Sequence, residues 1–485
     1  MPRVRIYALI LALPLIAFLC AEVGVRAGVL AWTCVYPVFV RPSTFPMYVV
    51  GESTAHGEPY MPKISFPRVV SRMLGDQVRG RPIELVDLSR PGSNVEEQYW
   101  RLYRELSLRP RRDGLVLIYA GINDGTGAYR PTPFSGLAER SLILSRVGYL
   151  VRSRTPRPSP LDFEERMALL LRLARARGLP VVISTLAGNV RDFSPQLMTP
   201  PQPGGERHRA YFEARRQENL GRWLRAAEAY EKLDRESRDA GLLHRAAVCR
   251  LKLGQRDLAA RLFRTAVDLG GTKRPTTEQN DAIRRLARDH GAALADSSAA
   301  LDAASPLGLA GDELFVDAHH PNLRGVALIA RAFADQAART LGVPVTRREL
   351  SEADLREEFG FTEEDERMVY SSRFLWFCGE AYVQTDKEDA LRAARRYLDL
   401  AEKSYGRRLA PYRFLLALSS RDARETRSWL SRKDALTADP RLLSTLGCNP
   451  SWASELVRTA GLPAEAEASA LGIMERAADL AQEYR

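Results

Sequence analysis

Ser53, Asp317 and His320 are the residues of this 485-residue chain whose types suit nucleophilic attack and proton transfer. A serine hydroxyl needs a base, the base needs a carboxylate to fix its tautomer, and the developing oxyanion needs donors already in place. Four separated segments supply these parts: Gly51-Glu52-Ser53, Gly92, Gly121-Ile122-Asn123-Asp124, and Asp317-Ala318-His319-His320-Pro321-Asn322. The six histidines are His56, His208, His244, His290, His319 and His320, and two of them fall in the last segment. A spacing of three lets Asp317 and His320 turn toward one serine. Ser53 is then the nucleophile and His320 its base. Gly92, whose amide is free to donate, and the Asn123 side chain are candidate oxyanion donors. Plainer roles remain open: Ser53 as a helix cap, Gly92 as part of an ordinary turn, Asn123 in an Asx turn. Asp and His also bind zinc, but no further Cys/His cluster stands at ligand spacing, so no metal is expected. The chemistry requires no cofactor.

Three of these segments follow strand signals. Tyr48 to Val50 form a short β-branched run that ends at Gly51; Ile83 to Leu88 precede Gly92; Leu115 to Tyr119 precede Gly121. Residues just past strand ends in an open α/β sheet are where ligands bind. Residues 161–177 read as an amphipathic helix and 180–185 as a fourth strand. The 188–193 loop follows that strand and is either a lining of the substrate cleft or a plain connection. An apolar helix is expected over 326–341.

The four segments together resemble the SGNH (GDSL-type) hydrolase superfamily. Its block-one Ser, block-two Gly, block-three Asn and block-five Asp-x-x-His match Ser53, Gly92, Asn123, and Asp317 with His320. The resemblance covers roughly 45–200 and 275–345. It implies a flavodoxin-like parallel sheet with helices on both faces, and an oxyanion hole formed by the Ser53 and Gly92 amides and the Asn123 side chain. One departure is Glu52, where the commonest motif has Asp. A second is the paired histidine: spacing favours His320 as the base and leaves His319 as its neighbour.

Residues 205–272 break the α/β pattern. They are charged, Ala-rich and helical in period. Gly221, Ala226 and Tyr230 recur as Gly254, Ala259 and Phe263, 33 residues later. This resembles the tetratricopeptide repeat, in which small residues let helices pack closely and an aromatic fills the gap. Residues 346–485 are helical too, and Tyr382, Ala393, Tyr397 and Ala401 read as one degenerate copy. The domain reading is therefore 1–30 signal anchor or signal peptide, 31–204 and 273–345 the two parts of the hydrolase domain, 205–272 the helical insertion, and 346–485 a helical C-terminal region. The repeat-like helices are a platform for a protein partner or a polymeric substrate, or padding with no partner.

Arg3 and Arg5 precede an uncharged apolar run from Ile6 to Ala21, near the lower length limit for spanning a bilayer. Positive residues ahead of it place the N-terminus in the cytoplasm. The expectation is a single-pass bacterial inner-membrane protein facing the periplasm, with a cleaved signal peptide as the alternative. The 71 Lys and Arg against 60 Asp and Glu give a net charge of +11. That charge suits anionic headgroups or acidic envelope polymers, and no nucleic-acid motif appears. Five cysteines without Cys-x-x-Cys spacing imply neither zinc nor a disulfide scaffold, though Cys378 and Cys448 are candidates for pairing. The functional expectation is a serine esterase acting on an acyl or O-acetyl ester of a lipid or glycan. Alternatives are an O-acyltransferase acting on envelope glycan, or an interaction scaffold with an idle hydrolase domain.

Overall fold

This computed structural model describes residues 17–25, 27–28, 31–32, 43–124 apart from 112, and 162–483 apart from 196, 199–203, 271–272, 348, 385 and 449. Most of the expected anchor and all of the 125–160 loop lie outside them. No helix among the described residues is long and apolar enough to cross a membrane. The chain divides into two compact units, Met1–Val190 with Gly271–Leu355, and Arg191–Gly270 with Arg356–Arg485.

The first unit is built on a six-stranded sheet. Its strands are β1 (Phe45–Gly51), β2 (Gln77–Val78), β3 (Arg81–Asp87), β4 (Leu115–Tyr119), β5 (Val181–Ser184) and β6 (Ala293–Ala295), in the order β2-β3-β1-β4-β5-β6. Every pairing is parallel except β2 with β3. Without the short edge strand β2, the parallel strands run 2-1-3-4-5, the flavodoxin-like doubly wound order. β1, β4 and β5 are buried at every position, as strands covered on both faces must be.

Helices α1 (Ser53–His56), α2 (Phe66–Met73), α3 (Val95–Leu108) and α4 (Phe163–Ala176) follow in the first half of the unit. Further along the chain, α2 packs against the long helix Leu323–Leu341, while α4 packs against both α3 and the helix Thr277–His290. Phe66 stacks on Phe333 at 4.7 Å and lies 5.6 Å from Tyr119, joining sheet to helices. Such aromatic contacts contribute about 0.5–1.5 kcal/mol beyond area burial. β1 carries Gly51 because a Cβ there would meet the Tyr119 carbonyl oxygen at 2.5 Å and the Ala55 Cβ at 2.4 Å. Only glycine lets β1, β4 and α1 approach so closely. β6 is a strand that patterning does not announce: a run of only three residues, Ala-Leu-Ala, completes the sheet.

In the second unit, α5 (Glu206–Asn219), α6 (Trp223–Glu236), α7 (Ala240–Lys252) and α8 (Arg256–Gly270) pack each against the next. The residues 33 apart occupy matching places. Gly221 and Gly254 take left-handed turns at φ +71 and +78, and Ala226, Tyr230, Ala259 and Phe263 are fully buried. The C-terminal segment is helical, beginning with Glu363–Val383 and Glu388–Tyr405. Phe377 stacks on Tyr397 and Phe374 on Tyr412 in its core. Of the residues read as a degenerate repeat, Tyr397 and Ala401 are buried and Tyr382 is 39% exposed. Cys378 is buried with a free thiol, which removes it from the candidate pairing with Cys448.

Candidate active site

β1 has β3 on one side and β4 on the other, so the carboxyl ends of these three strands are adjacent. From those ends come Ser53, Gly92 and Asn123. This is the switch point of the sheet, where the connections from β1 diverge and a crevice opens. The sequence places its three candidate residues at the one spot where the topology can bring them together.

Ser53 opens α1 just past the end of β1. Its hydroxyl lies 2.8 Å from His320 Nε2. His320 Nδ1 lies 2.8 Å from Asp317 Oδ2. The Asp317 Oδ1 accepts the backbone amides of His319 and His320 at 3.0 and 2.9 Å. One carboxylate thus shapes the turn and holds the ring. With Nδ1–H given to Asp317, Nε2 is left as the acceptor facing Ser53. The Asp317 side chain is 1% exposed and that of His320 15%, so the orienting hydrogen bond is shielded while the ring still reaches the crevice.

The turn itself is held from several directions. Val316 N donates to His320 O and Asn322 N to Leu314 O, which closes a tight loop. Asn322 then caps the following helix through Gly325 N. The loop after β5 proves to be a brace: Asn189 N donates to Ala318 O and Val190 N to Ala310 O, and the fully buried Asn189 side chain donates to Asp312.

His319 is not in line with Ser53. Its Nδ1 meets the Lys273 carbonyl at 2.8 Å and its ring centroid lies 4.2 Å from that of His320. Burial, reinforced by neighbouring His320, pushes its pKa down to about 4, so it adds no charge beside the base at neutral pH. Asp317, His319 and His320 form a group whose ligand-type atoms lie within 4.8 Å of one another. All three are engaged in the contacts just described, an arrangement that suits a proton relay rather than an ion.

On the oxyanion side, no group among the described residues accepts from the amides of Ser53 or Gly92. Gly92 sits at φ +73, a conformation that L side chains rarely adopt. Asn123 Nδ2 donates to Ser93 O at 2.8 Å, which orients the amide and leaves its second N–H to give. Ser93 is held in turn: Gln98, fully buried on α3, donates to Ser93 Oγ and accepts from Gly51 N. Asp124 accepts Val95 N and pairs with Arg166 at 2.9 Å, which ties the Asn123 loop to α3 and α4.

Sequence reasoning missed the supporting residues Gln98, Asn189 and Arg166, since nothing local marks them. It also left His56 unplaced. The His56 ring nitrogen Nδ1 lies 3.2 Å from Ser89 Oγ and 3.5 Å from Asp87 Oδ2, at the ends of β1 and β3.

No family model matches this chain, and no curated protein matches it. Among solved structures, it is similar to a single-residue variant of an acetyl xylan esterase from Geobacillus stearothermophilus, at 13% identity over 63% of this chain and 100% of that one, with a TM-score of 0.33. An α/β hydrolase from the metagenome of Lake Arreo, Spain, aligns at 16% identity over 61% of this chain and 95% of that one, TM-score 0.30. A putative GDSL-like lipase from Parabacteroides merdae aligns at 11% identity over 63% and 98%, TM-score 0.31. With scores this low, the case for catalysis rests on the geometry above.

Proposed function

We propose that this protein is a serine esterase of the SGNH type, and that Ser53, His320 and Asp317 carry the reaction. The observation that supports this most directly is the unbroken line of two 2.8 Å contacts from Ser53 Oγ through His320 to Asp317. It stands beside an unengaged Ser53 amide at the switch point of the sheet. Ser53 Oγ attacks the acyl carbonyl carbon while His320 Nε2 takes its proton. The oxyanion is met by the Ser53 and Gly92 amides and the free N–H of Asn123. Collapse breaks the ester C–O bond, and the alcohol leaves with the proton from His320. Water, deprotonated by His320, then attacks acyl-Ser53 and releases the carboxylic acid. The substrate class is an acyl or O-acetyl ester of a lipid or glycan.

A fluorophosphonate probe tests the reading. Wild-type protein is expected to carry a single adduct on Ser53, located by mass spectrometry, and Ser53→Ala none. Folded wild-type protein without an adduct would rule the esterase out.

We further propose that residues 6–21 anchor the chain in the inner membrane with the catalytic unit in the periplasm. Support comes from the uncharged apolar run behind Arg3 and Arg5. The protein should stay with membranes through alkaline carbonate extraction and be open to protease added to spheroplasts. Release by carbonate would overturn the anchor.

A further inference from the structure

Glu52 stands one residue before the nucleophile and has no part in the proton relay. Its side chain is nevertheless buried, with the residue 2% exposed. Oε1 accepts the Gly121 amide at 2.9 Å and Oε2 accepts the Asn123 amide at 3.2 Å. No cation pairs with it among the described residues. An unpaired carboxyl in the interior is expensive unless hydrogen bonds compensate it. Here the compensation comes from the loop that carries Asn123. On the far side of that loop, the Asn123 side-chain Nδ2 donates to Ser93 O, and Ser93 is pinned through Gln98 to Gly51, the residue before Glu52. The circuit starts and ends beside Ser53.

We propose that Glu52 is a positioning residue for the oxyanion hole: its carboxyl clamps the Gly121–Asn123 backbone and thereby sets the Asn123 amide at a fixed place relative to Ser53. This rests on the esterase reading and deepens it. Oxyanion donors work because they are aimed before charge develops. A donor on a strand-end loop depends on whatever holds the loop, and here the nucleophile's own neighbour holds it, so the two parts move together.

The clamp depends on protonation. Burial, joined by the nearby Asp124 carboxylate, pushes the Glu52 pKa up to about 8, against the pull of the loop amides. The other groups facing this region are Arg166, which pairs with Asp124, and buried Tyr119 on β4. Gln98 on α3 and Gln279, which donates to Gly121 O, are neutral. Below pH 8 the carboxyl carries a proton, and its hydroxyl oxygen is the weaker acceptor for one of the two amides. Ionisation strengthens both bonds. The same shift sets the sign for stability. The folded pKa lies above the ordinary value of 4.5, so stability from this group falls as pH rises from 4.5 to about 8 and is level beyond.

The test is the pH dependence of kcat and KM on p-nitrophenyl acetate for wild type, Glu52→Gln and Glu52→Asp, with fluorophosphonate labelling of each. Gln resembles the protonated form: one oxygen accepts and the nitrogen cannot. Wild-type kcat is expected to rise in a step centred near pH 8. The rise should be roughly tenfold, a fraction of the 10²–10³ that losing an oxyanion donor costs. Glu52→Gln should lack the step and match wild type only on its acid side, with KM unchanged. Glu52→Asp, one methylene shorter but still a carboxylate, should keep a step of reduced height. A Glu52→Gln profile that retains the step, or a defect confined to KM, would overturn the positioning role. So would failure of both variants to fold while Ser53→Ala folds, because the carboxyl would then serve the whole unit rather than the loop. Absence of the adduct in wild type would sink the esterase reading instead, so the two failures are told apart.

Discussion

Replacing Asp317 by Asn is expected to lower kcat on an activated acetate ester about ten-thousand-fold, while KM changes by no more than about threefold. The variant separates two jobs that the one carboxylate does. Oδ1 accepts the amides of His319 and His320 and so shapes the turn, and the Asn carbonyl can accept both. Oδ2 accepts from His320 Nδ1, and an amide NH₂ there is a donor. Two donors cannot face each other. The imidazole answers by moving its proton to Nε2, which then donates to Ser53 Oγ instead of accepting from it, and the base is lost while the geometry is kept. If Asp317 merely built the turn, Asn would be nearly as good as Asp, and a fall in kcat of under about tenfold would exclude the relay. Ser53→Ala combined with Asp317→Asn should be little worse than Ser53→Ala alone, because residues that act as one unit are not additive.

This turn explains why the site was so legible in the sequence. Asp317 and His320 interact over three residues, and local hydrogen bonds fix both, so spacing alone carries the information. Ser53, Gly92 and Asn123 are 39 and 31 residues apart by number, yet each follows a strand whose hydrophobic run is visible, and the topology of a doubly wound sheet leaves those three ends side by side. The supports are another matter. Gln98 is one polar residue on an amphipathic helix, and only the fold shows that it faces inward to Ser93 and Gly51. Glu52 stood out in sequence only as a departure from Asp; its hold on the Gly121 and Asn123 amides is a contact across some 70 residues that no periodicity encodes. β6 is only three residues long, Ala-Leu-Ala, with no β-branched signal, and it forms because β5 offers it an edge. The insertion's helices were legible from their period. What closes them into a unit with the C-terminal segment was not, because the closure is ionic and spans well over a hundred residues.

That closure carries the largest stability effect expected here: Arg215→Ala should destabilise the second unit by about 3–5 kcal/mol. The Arg215 side chain, 4% exposed, meets Glu218 at 2.9 Å on its own helix and Asp386 and Glu388 at 2.6 Å from the C-terminal segment. Arg245 on α7 pairs with Glu218 and with Asp389. Tyr230 donates to Glu218 and Tyr211 to Asp386. Burial works against the charge on Asp386, but Arg215 and then Arg245 outweigh it and hold its pKa below the usual carboxylate value. A buried pair is weak evidence of net stabilisation over an apolar core, but removing one partner is costly because the other charge is stranded. Without Arg215, the buried Asp386 loses the guanidinium it meets at 2.6 Å, and Arg245, already paired with Glu218 and Asp389, is the cation left in the cluster. With total stabilities of about 5–15 kcal/mol, a loss of that size removes a large fraction of the unit's stability. Four of the six tryptophans, Trp223, Trp376, Trp429 and Trp452, belong to this unit, so urea unfolding followed by tryptophan fluorescence is weighted towards it. Arg216→Ala is the matched control: its partner Glu213 lies in the open, and screening by solvent leaves that pair little to contribute. A midpoint for Arg215→Ala as high as that of Arg216→Ala would mean that apolar packing, such as Tyr230 between α5, α6 and α7, closes the unit without the ionic network.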